Sequence, residues 1–168
     1  TALGEEWLEK FSPTDAGMNN MLFCAYDKMG NRRNAEQHLD QGLKYSPDNT
    51  TLIHNKSIVI EKNSGAAAAV HYLNEQPERV LQTTSIRFRL ALLEYHTGNR
   101  KPAGEIAQEY NQGGFEYVES RSEKLLLHKI VGLFGFKLRP EKSSPGVSIP
   151  AVTFNEDNLL RINTSLNE

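Results

Sequence analysis

Apolar residues recur every three or four positions along most of the chain, which is the spacing of one face of an α-helix. The first such stripe covers residues 19–29 and is followed by Gly30, a residue that takes the positive φ at which many helices end. A second stripe covers residues 35–45 and is followed by Pro47, whose ring cannot continue a helix. The pattern therefore predicts a helix, a tight turn and a second helix.

This helix pair recurs along the chain at an interval of 34 residues. Small, apolar and turn residues coincide at this interval or at twice its length: Ala35 with Ala69 and Ala103, Leu39 with Leu73, Leu22 with Leu90, and Gly30-Asn31-Arg32 with Gly98-Asn99-Arg100. A period of this length is typical of solenoids of stacked helix pairs. We therefore predict an all-α solenoid over residues 15–138, with helix pairs at residues 16–49, 50–83 and 84–117.

The flanking segments have other patterns. Residues 1–14 align with the second helix of a preceding pair, so we expect the chain to be a fragment of a longer protein. Residues 115–134 are predicted to form one long helix that caps the stack, since a solenoid must cover its last apolar face. Residues 139–168 contain three prolines and are predicted to form an extended tail, with four apolar residues that could pack against a surface: Val147, Ile149, Val152 and Phe154.

The repeating unit resembles the tetratricopeptide repeat family, whose pattern combines a first-helix tyrosine, a glycine turn, a small alanine in the second helix and a closing proline. The first pair matches best, through Leu22, Phe23, Tyr26, Gly30, Ala35, Leu39 and Pro47. The third pair has Glu94 in the tyrosine position, and the second keeps chiefly Ala69 and Leu73. The resemblance implies a right-handed superhelix and a non-catalytic scaffold that binds a protein segment in a concave groove lined by the first helices.

The family's groove-facing positions, carried over to this chain, imply the surface that contacts the partner. These positions are Asn20, Met21, Cys24, Asp27, His54, Asn55, Ile58, Glu61, Ser85, Phe88, Arg89, Leu92 and His96. The mixture of apolar side chains with hydrogen-bonding groups suits a peptide, which offers both side chains and a main chain. The alternative is that some of these residues, notably Ile58 and Leu92, belong to the core, because real repeats rotate relative to one another.

Some members of the family bind the C-terminal carboxylate of chaperones through lysines, asparagines and an arginine. Asn55 and Arg89 fit that pattern. Asn20 and Ser85 stand where the resemblance implies lysines, and Cys24 stands where it implies an asparagine. Without the two lysines most of the attraction for a carboxylate is lost, so we do not expect this chain to bind chaperone tails.

Composition and charge exclude several other classes of function. The 19 basic and 21 acidic residues are mixed along the chain and give a net charge of −2, so no basic block suggests a nucleic-acid partner. The apolar runs are far too short to cross a membrane. A single cysteine, Cys24, excludes an internal disulfide.

Motifs that carry catalysis or bind cofactors are not found in the sequence. The five histidines occur singly, and no pair has the spacing of a helical zinc site: His38, His54, His71, His96 and His128. Cys24 lies in an apolar stripe, where a thiol is usually a small packing residue. We therefore expect a protein that is not an enzyme and has no metal or cofactor.

A narrower resemblance concerns the second and third pairs. IHNKSIVIEKNSGAAAAVHYL and RFRLALLEYHTGNRKPAGEIAQEY are similar to segments of bacterial tetratricopeptide lipoproteins of tight-adherence pilus assembly. This resemblance implies a role in pilus or secretion-system assembly, an outer-membrane secretin as a candidate partner, and a periplasmic or outer-membrane-associated location. Without it the expected location is cytoplasmic.

The tail offers an alternative function. Residues 143–157 could occupy the groove of their own chain or that of a neighbouring copy. The first case predicts an autoinhibited module and the second a homo-oligomer, and in both an external partner would have to compete with the tail.

Overall fold

The computed structural model describes residues 2–10, 14–114, 118 and 120–137, and all regular secondary structure within them is α-helical. The predicted all-α class is confirmed for this part of the chain. In chain order the helices are α1 (Ala2–Lys10), α2 (Ala16–Lys28), α3 (Arg32–Tyr45), α4 (Thr50–Ser64), α5 (Ala66–Asn74), α6 (Glu78–Leu81), α7 (Thr84–His96), α8 (Lys101–Asn111) and α9 (Arg121–Leu133). The predicted tail, residues 139–168, lies outside the described residues.

Helices α2, α4 and α7, called the first helices below, begin at a constant interval of 34 residues, at Ala16, Thr50 and Thr84. A capping residue precedes two of them. The Asp15 carboxylate accepts a hydrogen bond from the Met18 backbone N–H at 2.6 Å, and the Asn49 side chain accepts from two backbone N–H groups at 3.1 Å. These bonds satisfy donors that have no partner inside the helix, and so fix the point at which it begins.

The second helices, α3, α5 and α8, follow after turns that contain glycines. Gly30, Gly65 and Gly98 have φ values of 74°, 87° and 100°, which residues with a Cβ adopt only at a cost. Pro102 lies in the first turn of α8, where its missing N–H leaves no hydrogen bond unmade. The turns predicted at Gly30 and Gly98 are confirmed.

Each helix packs mainly against helices close to it in sequence. Within pairs, α2 packs on α3, α4 on α5 and α7 on α8. Between pairs, each first helix contacts the next one, α2 with α4 and α4 with α7. The second helices α3 and α5 also contact the first helix of the following pair, α4 and α7 respectively. Helix α9 packs on both helices of the third pair, α7 and α8. In the part of the chain that the structure describes, the core consequently consists of three clusters, formed by helices α2 to α4, α4 to α7 and α7 to α9.

Small residues allow the helices of these clusters to approach closely. Ala35, Ala69 and Ala103 are all buried, one in each second helix. Gly42 in α3 is closer still to its neighbours, since a Cβ placed there would lie 2.8 Å from Leu52 Cδ1 and 3.2 Å from Asn19 Cβ. Close-packed interiors leave little room for larger side chains at such positions.

Helix α9 begins later than predicted. The apolar pattern predicts a helix over residues 115–134, but Val118 is not helical and Ser120 has extended backbone (φ −80°, ψ 142°) as the N-cap. The Ser120 hydroxyl accepts a hydrogen bond from the Glu123 backbone N–H at 3.2 Å. A serine three residues before a glutamate is a local start signal, and here it sets the start of the helix.

Two further details differ from the prediction. The apolar pattern of residues 115–134 predicts that Leu125 lies on the buried side of this helix. Leu125 is 40% exposed, and Leu127 is buried instead, because α9 packs on both α7 and α8. A short helix, α6, lies between the second and third pairs. It follows Pro77 and buries Val80, whereas the sequence pattern indicates no helix there.

Candidate protein interface

On α2, the predicted contact residues lie on the side away from the core. Asn20, Cys24 and Asp27 are spaced four and three residues apart, which places them on one face of the helix, with Met21 beside them. Met21 is 65% exposed, Cys24 and Asp27 are exposed, and Asn20 is half-buried. These four side chains are accessible to a partner.

A pair of amides joins α2 to α4. Asn55 Nδ2 donates a hydrogen bond to Asn20 Oδ1 at 2.6 Å. Within the described part of the chain neither side chain makes another hydrogen bond, so Asn20 keeps a donor and Asn55 keeps an acceptor. His54 and Ile58 lie half-buried beside them on α4. Below, these residues are together called the α2–α4 surface: Asn20, Met21, Cys24, His54, Asn55 and Ile58.

Ion pairs flank the α2–α4 surface. Asp27 on α2 lies 3.6 Å from Lys62 Nζ on α4, with both side chains largely exposed. Glu61 accepts a hydrogen bond from the Arg89 guanidinium on α7 at 2.5 Å. The exposed pair contributes little to stability because water screens it, whereas the Arg89 side chain is only 8% exposed and depends on its partner.

Ser57 completes the contact between α4 and α7. Arg89 Nε donates to Ser57 Oγ at 3.1 Å, and Ser57 Oγ donates to the His54 carbonyl at 2.6 Å. Ser57 is fully buried, and the predicted contact residues do not include it. The available sequence signal is a small polar residue on the core-facing side of α4, four positions before Glu61.

His54 is uncharged at neutral pH. Burial lowers the pKa of its imidazole from 6.5 to about 4, and the nearby positive charge of Arg89 acts in the same direction. The imidazole makes no hydrogen bond to another described residue, so it adds a neutral donor and acceptor to the α2–α4 surface.

On α7, the structure corrects the prediction. Phe88 is completely buried and Leu92 nearly so, in a cluster with Leu127 and Ile130 of α9. The prediction that Phe88 is open to a partner is therefore wrong, because α9 covers this face of α7. For Leu92 the alternative given above, a core position, is the one observed. Arg89 is buried in its ion pair.

The other predicted positions have different surroundings. Ser85 is half-buried and His96 is exposed. The four apolar residues of the tail, Val147, Ile149, Val152 and Phe154, lie outside the described residues. The open part of the predicted groove is consequently the part formed by α2 and α4.

A shallow depression lies beside the α2–α4 surface, at the junction of α2, α3 and α4. Its volume of about 20 Å³ is enough for a water molecule but far below that of a pocket for a small molecule. Its walls are formed by Phe23, Asp27, Arg32, Ala35, Glu36, Val59, Lys62 and Asn63. A small ligand would not be enclosed there.

The Cys24 thiol is not an activated nucleophile. Partial burial raises the pKa of the Cys24 thiol, an effect that nearby Lys28 reduces and Asp27 reinforces, so the thiol stays protonated at neutral pH. In the described ranges, His, Cys, Asp and Glu side chains form no group of three or more that could hold a metal ion. The described helices also include none with the length and hydrophobicity needed to cross a membrane.

Comparisons of the chain with models of protein families, with curated proteins and with solved structures give no match in any of the three.

Proposed function

We propose that this chain is a tetratricopeptide-repeat-like module whose α2–α4 surface binds a peptide segment of a protein partner. The observation that supports the proposal most directly is the Asn20–Asn55 bond between two neighbouring first helices, next to a methionine that is 65% exposed. Large apolar side chains exposed beside unused hydrogen-bonding groups are typical of surfaces that bind peptides.

The size of the surface suits an extended segment. Packed helices lie about 8–10 Å apart. An extended chain advances about 3.3 Å per residue, so about three residues of a partner would cross from α2 to α4. Asn20 and Asn55 would bond to the partner's main chain, and Met21, Cys24 and Ile58 would pack against its side chains.

Only the amino-acid sequence bears on the biological context of this surface. The resemblance of the second and third pairs to pilus-assembly lipoproteins favours a partner within a bacterial secretion or pilus assembly, such as an outer-membrane secretin. The alternative function, in which residues 143–157 occupy the surface, concerns a segment outside the described residues. The mass of the full chain in solution tests its self-associating form, because that form requires a dimer or larger assembly.

The proposed function is tested by selecting binders from a displayed library of random peptides. The peptides have about 12 residues, a length that covers a groove of this kind. The full chain serves as the target, and enriched peptides are then synthesised and titrated by fluorescence anisotropy. Met21→Glu should weaken their binding roughly tenfold or more, because it places a charge in an apolar contact.

Met29→Glu is the matched control. Met29 is 67% exposed, like Met21, but it is the C-cap residue of α2 and lies outside the α2–α4 surface. We expect its substitution to change affinity by less than about twofold, roughly 0.4 kcal/mol. Failure to enrich any peptide, or equal losses in the two variants, would reject the proposed function.

A further inference from the structure

The charges around the α2–α4 surface indicate what kind of segment it accepts. Asp27 and Glu61, the two acidic residues predicted to contact the partner, are already paired with Lys62 and Arg89. A partner cation would have to displace Lys62 or Arg89, and a partner carboxylate would have to displace Asp27 or Glu61. Arg89 is least available of the four, because its side chain is almost entirely buried.

The α2–α4 surface itself carries no charged side chain but is polar. Asn20 keeps a free amide donor, Asn55 a free acceptor and His54 a neutral ring, while Met21 and Ile58 are apolar. A charged group placed over this surface would lose hydration without gaining an opposite charge, which is unfavourable. Main-chain amides and aliphatic side chains lose much less and find partners there.

We infer that the segment bound by the α2–α4 surface is uncharged where it crosses α2 and α4, and is held by hydrogen bonds to its main chain and by contacts of its aliphatic side chains. This inference rests on the proposed function and specifies the class of partner: an internal, aliphatic stretch of a protein chain rather than a C-terminal carboxylate or a charged motif.

Lys28 is a cation near the α2–α4 surface that a charged partner could use. Lys28 is exposed one turn beyond Cys24, close enough to lower the pKa of the thiol, and it forms no ion pair with another described residue. If the partner were recognised through a carboxylate, Lys28 would be the available counter-charge. Lys28→Gln therefore separates the two kinds of recognition without disturbing a contact of the fold.

The probes are the synthetic peptides selected on the full chain whose binding Met21→Glu weakens. Their affinity is measured at about 50 mM and about 500 mM NaCl, between which charge attraction is strongly screened. We expect a change of less than about twofold with salt and with Lys28→Gln. An aspartate or lysine in place of a central aliphatic residue should weaken binding roughly tenfold or more.

N-methylation of one central peptide bond at a time tests the contact to the main chain. The methyl group removes a donor without adding charge, so at least one such peptide should bind roughly tenfold more weakly. An amidated C-terminus should bind as well as the free acid.

The inference is wrong if added salt or Lys28→Gln weakens binding roughly tenfold, if a central aspartate strengthens it, or if no N-methylation matters. Each of these results would leave the proposed function intact, because the peptides still depend on Met21. A selection that yields no peptide sensitive to Met21→Glu rejects the inference together with the proposed function.

Discussion

His54 shows how a single side chain is fixed by its surroundings. The ring is half-buried on α4 near the Arg89 guanidinium, and both conditions oppose a positive charge on the imidazole. With a pKa of about 4, His54 is still uncharged near pH 6.5, where an ordinary histidine is half protonated. This neutrality is part of what makes the α2–α4 surface suitable for an uncharged segment.

His54 also makes stability depend on pH. The unfolded chain takes up a proton near pH 6.5 and the folded chain only near 4, so between these values the unfolded state binds more protons. The free energy of unfolding should therefore fall by about 2 kcal/mol between about pH 7 and about pH 5 on account of this residue. Urea titrations at both pH values measure the change.

His54→Gln is the control for that measurement, because it keeps a neutral polar side chain that does not titrate. The other histidines and the carboxyl groups act equally in both proteins. If the variant loses as much stability as the original chain between the two pH values, the ring is not held neutral by its surroundings.

A glycine is needed at position 42 because α3 and α4 lie close together there, and not because of its backbone conformation. Alanine normally favours a helix over glycine, but here its Cβ would come within 2.8 Å of a buried leucine methyl. We expect Gly42→Ala to lower the free energy of unfolding by about 1–3 kcal/mol, the usual cost of overpacking a core. Thermal or urea unfolding measures this loss.

Gly104 in α8 is the matched comparison. A Cβ there would lie 3.5 Å from ring atoms of Phe134, an ordinary contact distance. Gly104→Ala should therefore raise the free energy of unfolding by about 0.5–1 kcal/mol, as expected for glycine replaced within a helix. Equal effects of the two substitutions would show that α3 and α4 are not closely packed at Gly42.

Between elements, the contact of α4 with α7 depends on a buried charge. Arg89 is 8% exposed whereas its partner Glu61 is 33% exposed, so the two members of the pair differ in what their loss leaves behind. Without Glu61 a buried guanidinium has no counter-charge, whereas without Arg89 the carboxylate can be hydrated. Arg89, which also donates to Ser57, is therefore the residue whose burial depends on the ion pair.

Because of this difference in exposure, we expect substitutions of Glu61 and Arg89 to cost different amounts of stability. Glu61→Ala should cost about 2–3 kcal/mol of unfolding free energy, somewhat less than a fully buried pair because Glu61 is partly solvated. Arg89→Met should cost about 1 kcal/mol or less, because an apolar side chain of similar length fills the same space. Urea titrations at neutral pH give both values.

The double variant is the decisive control. If the cost of Glu61→Ala comes from the unpaired guanidinium, the double variant should be about as stable as Arg89→Met alone. Additive costs of the two substitutions would mean that the pair does not stabilise the contact between α4 and α7.

At the scale of the molecule, most helices of the described residues could be predicted from local signals. The glycines at 30 and 98 and the prolines at 47 and 102 lie within two residues of a helix end, so each acts close to where it stands. The recurring alanines lie inside the second helices, where they are buried. The start of α9 was harder to predict, because the apolar pattern continues past Ser120 although the capping bond begins the helix there. Helix α6 has only four residues, too few for a periodic pattern.

The site was only partly predictable, because accessibility is decided by distant segments. Cys24 on α2 and Leu92 on α7 occupy the same position of the repeat, 68 residues apart, yet Cys24 is exposed while Leu92 is covered by α9. The Glu61–Arg89 pair and the Asn20–Asn55 bond join residues about one repeat apart in sequence. Such contacts depend on how neighbouring helices pack, which periodicity alone does not determine.

Photo-crosslinking shows whether a partner segment lies across α2 and α4, as we propose. A selected peptide with a central benzophenone is irradiated on the full chain, and the adducts are located by mass spectrometry. Benzophenone reacts readily with methionine, so Met21 and Met29, which are almost equally exposed, provide an internal comparison. We expect adducts at Met21 and its neighbours on α2 and α4. Adducts at Met29, or mainly on α3, α5 or α8, would contradict it.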